Sequence, residues 1–131
     1  MRYMLDTDIC IYVINARPAA VLEKFLAHET EGLGISAVTA GELHFGVRKS
    51  GSRRNTLALE KFLAPLEIAE FGTGAARVYG ELRSALEKKG TPIGALDTQI
   101  AAHALALGVT LVSNNLREFK RVPKLALENW A

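Results

Sequence analysis

Two carboxylates, Asp6 and Asp8, stand one residue apart at the end of the apolar run Tyr3-Met4-Leu5. Apolar residues bounded by turn formers read as a buried strand, and open α/β sheets carry their chemistry at the carboxyl ends of such strands. Unpaired carboxylates resist burial and protonate instead, so the pair calls for something cationic nearby. The alternative is local: Asp6 or Asp8 caps a helix starting near Ile9. Two more acids fall where a site can be built, Glu42 early in its helix and Asp97 in the first turn of another. Each also has a local explanation. Thr39-Ala40-Gly41-Glu42 matches a capping box, and an acid near a helix start suits the helix dipole. Ser113-Asn114-Asn115 follows a strand and reads either as a turn or as part of the site.

No HExxH, CxxC pair, GxxxxGK[ST] or GxSxG pattern occurs, so zinc hydrolysis, P-loop chemistry and a serine nucleophile find no support. His103 points about 120° away from Asp97 around their common helix, which favours a structural role. What remains is a set of oxygen ligands, and hard oxygens suit Mg²⁺ or Mn²⁺ rather than Zn²⁺.

The elements that must position these residues alternate. Helices are expected over residues 9–16, 19–28, 53–63, 75–89 and 95–107, with another carrying Glu42 and capped by Ser36 or Thr39. Pro18 suits a first helical turn, Ser50-Gly51-Ser52 is a turn, and Gly90 and Gly108 stand where helices stop. Short strands are expected at Leu33-Gly34-Ile35-Ser36, Leu66-Glu67-Ile68-Ala69, Thr110-Leu111-Val112 and Leu125-Ala126-Leu127. Strands separated by helices, without repeats, predict an α/β fold whose parallel sheet is covered on both faces.

At 131 residues with 49% hydrophobic composition the chain suits a single domain, residues 1–131, with a real core. Cys10 lies in an apolar run and is read as a packed thiol, which with the absence of a signal-peptide pattern sets a cytoplasmic location as the default. No stretch reaches the roughly 18 apolar residues of a membrane span. A net charge of +2 is too small to establish nucleic-acid binding by itself.

In order, Tyr3 to Tyr12, Ser36 to Leu43 with Gly46, Pro92 to Asp97, Ile100 to Ala104, Ser113 to Phe119, Arg121-Val122-Pro123 and Glu128-Asn129-Trp130 resemble the PIN-domain ribonucleases, and within them the VapC toxins of bacterial toxin–antitoxin pairs. The resemblance runs almost end to end. It implies a PIN-like three-layer fold with a central, mostly parallel sheet of roughly four to five strands. It also implies a divalent metal, Mg²⁺ with Mn²⁺ able to substitute, held by Asp6 and Asp97, with Glu42 a ligand through water or a base and Asn115 a hydrogen-bonding orienter. The family often has an acid where Asn115 stands, which puts a strongly bound second metal in doubt and makes Glu118 a substitute candidate. Asp8 stands where Asn is commoner and either adds ligand charge or caps a helix. The implied activity is cleavage of structured RNA, tRNA prominent among the substrates, restrained by a VapB-type antitoxin.

A carboxylate-held Mg²⁺ fits that chemistry, because phosphodiester hydrolysis needs an activated water and a neutralised leaving oxygen. RNA must approach past the acids, so cations should line the way. Arg48, Lys49, Arg53 and Arg54 form one basic run, and Arg117, Lys120, Arg121 and Lys124 another. Phe45, Val47, Leu57 and Phe62 exceed what one small domain readily buries, which predicts a homodimer and antitoxin capture. Two rivals remain: a phosphatase using Asp6 as nucleophile, which Cys10 and the lack of a later Asp-Asp pair disfavour, and an RNA- or protein-binding module with a weakened site.

Overall fold

A computed structural model describes all of residues 1–131. Its strands are β1 (Tyr3–Leu5), β2 (Leu33–Ser36), β3 (Glu67–Ala69), β4 (Thr110–Val112) and β5 (Leu127–Glu128). Its helices are α1 (Thr7–Asn15), α2 (Ala19–Ala27), α3 (Ala37–Ser50), α4 (Arg53–Leu63), α5 (Thr73–Lys88), α6 (Ala95–Leu107) and α7 (Leu116–Phe119), with a 3₁₀ turn at Glu29–Glu31. The strands pair in the order β3-β2-β1-β4-β5, and every pairing is parallel.

Side chains of β1 alternate across the sheet as strand geometry requires. Tyr3 and Leu5 join Ile9, Val21, Ile35, Leu43 and Leu59 under α1 to α4, while Met4 joins Leu82, Leu86, Ile100, Leu111 and Phe119 under α5 to α7. Both faces of β1 are thus covered, and Met4 and Leu5 are fully buried. A strand buried on both sides has no polar alternation, which is why Tyr3-Met4-Leu5 is apolar throughout. Burying each such side chain contributes roughly 1.5–3 kcal/mol.

From β1 the chain moves outward to β2 and β3, then crosses back to β4 and β5 on the other side. The crevice above the carboxyl ends of β1 and β4 is therefore the point where strand order reverses, the usual place for a ligand in such sheets.

Several boundaries differ from the sequence expectation for identifiable reasons. Helix α1 begins at Thr7 because Asp6 is its N-cap and accepts the Thr7 N–H at 2.8 Å. Ser36, not Thr39, caps α3 by accepting the Val38 N–H at 3.0 Å, so the expected Thr39–Glu42 capping box does not form. Gly51 takes φ 64 to end α3, and Ser52 then caps α4 through the Asn55 N–H at 3.1 Å, making the Ser50-Gly51-Ser52 turn. Helix α7 has no counterpart among the expected elements, and the last strand forms two residues later than expected.

Gly34 pairs with Glu67 in the β2–β3 register, and a Cβ there would lie 2.7 Å from the Glu67 carbonyl oxygen. Gly34→Ala should therefore lower stability by about 1–3 kcal/mol. Gly80→Ala, at an exposed helical position with open space around the Cβ, should raise it by about 0.5–1 kcal/mol. Denaturant unfolding of the two variants checks both signs.

Candidate active site

Asp6 closes β1 and is held from three directions. Its N–H donates to the Val112 carbonyl at 2.8 Å, Oδ1 accepts the Thr7 N–H at 2.8 Å, and Oδ2 accepts the Ser113 hydroxyl at 2.8 Å. Ser113 is itself fixed between strands, donating its N–H to the Glu128 carbonyl at 2.9 Å, and its Oγ accepts the Asn115 N–H at 2.9 Å. The Asp6 side chain is almost wholly buried, and burial pushes its pKa up to about 6. The charges of Asp8 and Glu42 push the same way, while the Ser113 and Thr7 hydrogen bonds oppose them. Capping thus does not compete with a role in the site, because each oxygen accepts one hydrogen bond and keeps a lone pair.

Glu42 lies half-buried on α3, where Oε1 accepts the Thr7 hydroxyl at 2.9 Å. Asp97 occupies the first turn of α6. Its pKa is pushed up to about 8, first by burial, then by a hydrogen bond shared with Glu118, then by the charges of Asp6, Glu118 and Glu42. Glu118 moves the opposite way, mainly through that same shared bond. The Asn115 amide spans them, Nδ2 donating to Asp97 Oδ2 at 3.3 Å and to Glu118 Oε2 at 3.0 Å. Asp6, Glu42, Asp97 and Asn115 are therefore gathered in one crevice with Glu118.

Asp8 serves the scaffold. Its Oδ1 accepts the Ile9 N–H at 2.7 Å and its Oδ2 the Asn114 N–H at 3.1 Å, lashing the start of α1 to the loop after β4. Ser113 and Thr7 orient Asp6 and Glu42, and the sequence marks neither beyond its place next to an acid or a strand end. His103 is buried away from the acids, with Nδ1 2.8 Å from Ser36 Oγ.

Among the cations, Arg54 lines a cavity of about 590 Å³ together with Thr7, Glu42, Ile11, Leu43 and Asn55, so this cleft runs from the acids between α1, α3 and α4. Arg48, Lys49 and Arg53 are exposed around the α3–α4 turn, and Arg117, Lys120 and Lys124 are exposed in and after α7. Arg121 is engaged: its Nη1 donates to the Pro92 carbonyl at 2.8 Å, tying down the loop that leads into Asp97.

Residues 3–125 match the family model of the PIN domain. The chain belongs to the PIN-domain family. Within that family it is 46% identical to ribonuclease VapC2 of Rickettsia felis, over 99% of this chain and 98% of the relative. It is 40% identical to the tRNA(fMet)-specific endonuclease VapC of Salmonella typhimurium, again over 99% and 98%. In structure it is similar to VapBC2 from Rickettsia felis bound to a promoter DNA fragment, with TM-score 0.91, 43% identity and complete coverage of both chains. It is equally similar to DNA-bound VapBC from Salmonella typhimurium, with TM-score 0.92, 40% identity and coverage of 100% and 99%. It is a VapC-type ribonuclease, of a family whose nucleases depend in general on divalent metal.

The donor set of this PIN site suits such an ion. Its side chains offer carboxylate and amide oxygens, and the acids that surround Asp6 and Asp97 add negative charge to carboxylates whose pKa values burial already raises. No three of these side chains are gathered closely enough to grip one ion as they stand.

A raised carboxylate pKa means that the native protein binds more protons than the unfolded chain, so this stability is full below the unfolded pKa near 3.8. It is lost as pH rises through about 6 for Asp6 and about 8 for Asp97. In chelator the melting temperature should fall across this window, and Asp97→Asn should flatten its upper part and melt higher than the parent near pH 8. An unchanged pH profile would place Asp97 outside the cluster.

Proposed function

We propose that this chain, as a single PIN domain, is the toxin of a toxin–antitoxin pair and hydrolyses phosphodiester bonds of tRNA at Asp6, Glu42, Asp97 and Glu118. The metal in this reading is Mg²⁺, with Mn²⁺ able to substitute. The observation that carries it is the Asp97–Glu118 pair, bridged by Asn115 and pressed by the charges of Asp6 and Glu42, in the crevice between β1 and β4. The tRNA substrate follows from the relative named as a tRNA(fMet)-specific endonuclease, and the antitoxin from the VapBC assemblies that the fold resembles.

A divalent ion held here by Asp6, Asp97 and Glu118 would supply a water of lowered pKa and positive charge against the phosphate. Asp6, with each oxygen steadied by one hydrogen bond, presents its remaining lone pairs without rearranging. Asp97 in its ionised form would be a second ligand, with the Asn115 amide keeping it aligned with Glu118. Glu118 thereby provides the fourth acid from the first turn of α7, where the amide of Asn115 cannot. Glu42 keeps Oε2 free while Oε1 rests on Thr7, which suits it to receive the proton of the attacking water. The new bond joins water oxygen to phosphorus, and the ribose oxygen on the opposite side leaves.

Arg54 and the exposed cations around the α3–α4 turn and α7 offset the repulsion between acids and RNA. Ile11 lines the cleft that reaches Glu42 and is 44% exposed, and Phe45 on α3 and Leu57 on α4 are 67% and 54% exposed. That apolar surface suits a VapB-type antitoxin segment and the contact of a homodimer.

Purified protein should cleave bulk tRNA in Mg²⁺ or Mn²⁺ and stop in chelator. Asp6→Asn should lower kcat/KM by at least about 100-fold and Glu118→Gln by about tenfold, as expected for losing a ligand or its support. Cleavage undiminished in chelator removes the metal mechanism, and no cleavage by any form leaves a binding module.

A further inference from the structure

Helix α6 carries Asp97 in its first turn and His103 two turns on, packed against the start of α3. His103 is 1% exposed, and its Nδ1 lies 2.8 Å from Ser36 Oγ. Ser36 is 0% exposed and caps α3, accepting the Val38 N–H at 3.0 Å. A serine hydroxyl carries one proton, and with Val38 on a lone pair that proton needs an acceptor. His103 Nδ1 is the acceptor within reach.

This assigns the ring's own proton to Nε2, which makes no hydrogen bond, while Phe71 packs edge-on at 5.3 Å between centroids. Burial pushes the imidazole pKa down, against an opposing pull from the Glu70 backbone, so the neutral ring keeps its Nδ1 lone pair for Ser36. Without that acceptor, Ser36 either buries an unsatisfied proton or turns its oxygen away from Val38. Both loosen the first turn of α3. Glu42 sits on α3 one turn beyond Val38, with its carboxylate on Thr7 beside Asp6.

We propose that His103 is a positioning residue for the ribonuclease site: through the Ser36 hydroxyl it fixes the start of α3, and so the place of Glu42 relative to Asp97 on its own helix. The inference rests on Glu42 and Asp97 being site acids. It links the two helices by one buried hydrogen bond rather than by packing alone, and small misplacements of reacting groups are costly in rate.

The test uses the full chain, bulk tRNA as probe and Mn²⁺ as metal, with kcat, KM and the Mn²⁺ dependence of the melting temperature measured for each variant. His103→Leu keeps the bulk and removes the acceptor; Ser36→Ala removes the hydroxyl with little change of volume. Each should lower kcat about tenfold at unchanged KM and raise the Mn²⁺ concentration needed for stabilisation. The double variant should be no worse than the poorer single one, because both break the same link. His103→Asn, whose Oδ1 takes the place of Nδ1, should retain most of kcat. If His103→Leu does not fold, Ser36→Ala and His103→Asn decide the question alone. A lower melting temperature in Ser36→Ala or His103→Leu with kcat and Mn²⁺ dependence intact makes the histidine purely structural and overturns the proposal. Asp97→Asn runs beside them. If it cleaves as the parent does, the acid-site reading falls and this inference with it; if it is dead while His103→Leu is fully active, this inference alone falls.

Discussion

Asp6 sits at the end of the central strand with only 5% of its surface exposed, and its two oxygens are claimed by the Thr7 N–H and the Ser113 hydroxyl. A carboxylate can occupy so buried a position only where strand ends and helix starts supply donors, and a parallel sheet supplies both. The order β3-β2-β1-β4-β5 sets Ser113 beside Asp6, since β4 pairs with β1. The same crossing brings α6 and its Asp97 over the end of the sheet. Asp97 is raised well above the usual carboxylate range first by its own burial, then by its bond to Glu118, with the charges of Asp6, Glu118 and Glu42 adding to both.

That arrangement costs stability near neutral pH, because both raised carboxyl groups ionise less readily in the folded state than in the unfolded chain. Burial and like charge together raise Asp97, while the Asn115 amide donates to both Asp97 and Glu118 and holds the two carboxyl groups side by side. In the proposed reading a cation would offset that charge, which would link folding, protonation and metal binding at this one place. Asp8 and Arg121 contribute indirectly. The first lashes α1 to the loop after β4, and the second holds the loop before α6, so both fix the frame within which Asp6 and Asp97 face each other.

Much of this is legible in the sequence where chemistry and periodicity coincide. The run Tyr3-Met4-Leu5 reads as a strand buried on both faces, the glycines after α3 and α6 mark their ends, and Asp6, Glu42 and Asp97 stand out as acids at element boundaries. The place of Glu118 is not legible from periodicity, because α7 is a single turn of four residues after a strand of three, too short for either period to register. Nor is the choice between site and cap for Asp6 or Glu42. Asp6 turns out to be both, and Glu42 escapes the capping box only because Ser36, three residues before Thr39, takes the cap. Arg121 reads as a phosphate ligand in a basic run, and only the tertiary structure puts the Pro92 carbonyl against it. The fully parallel sheet follows from alternating elements; its strand order does not.

The central claim is that these carboxylates form one coupled site whose proton a divalent cation displaces. Calorimetric titration with Mn²⁺ near pH 7, repeated in buffers of different ionisation enthalpy, counts the protons released on binding. With Asp97 near pKa 8 in the metal-free protein, roughly one proton should leave for each ion bound, and Asp97→Asn should abolish most of that release. Tight binding with no proton released in the parent, or the same release in Asp97→Asn, would contradict the account.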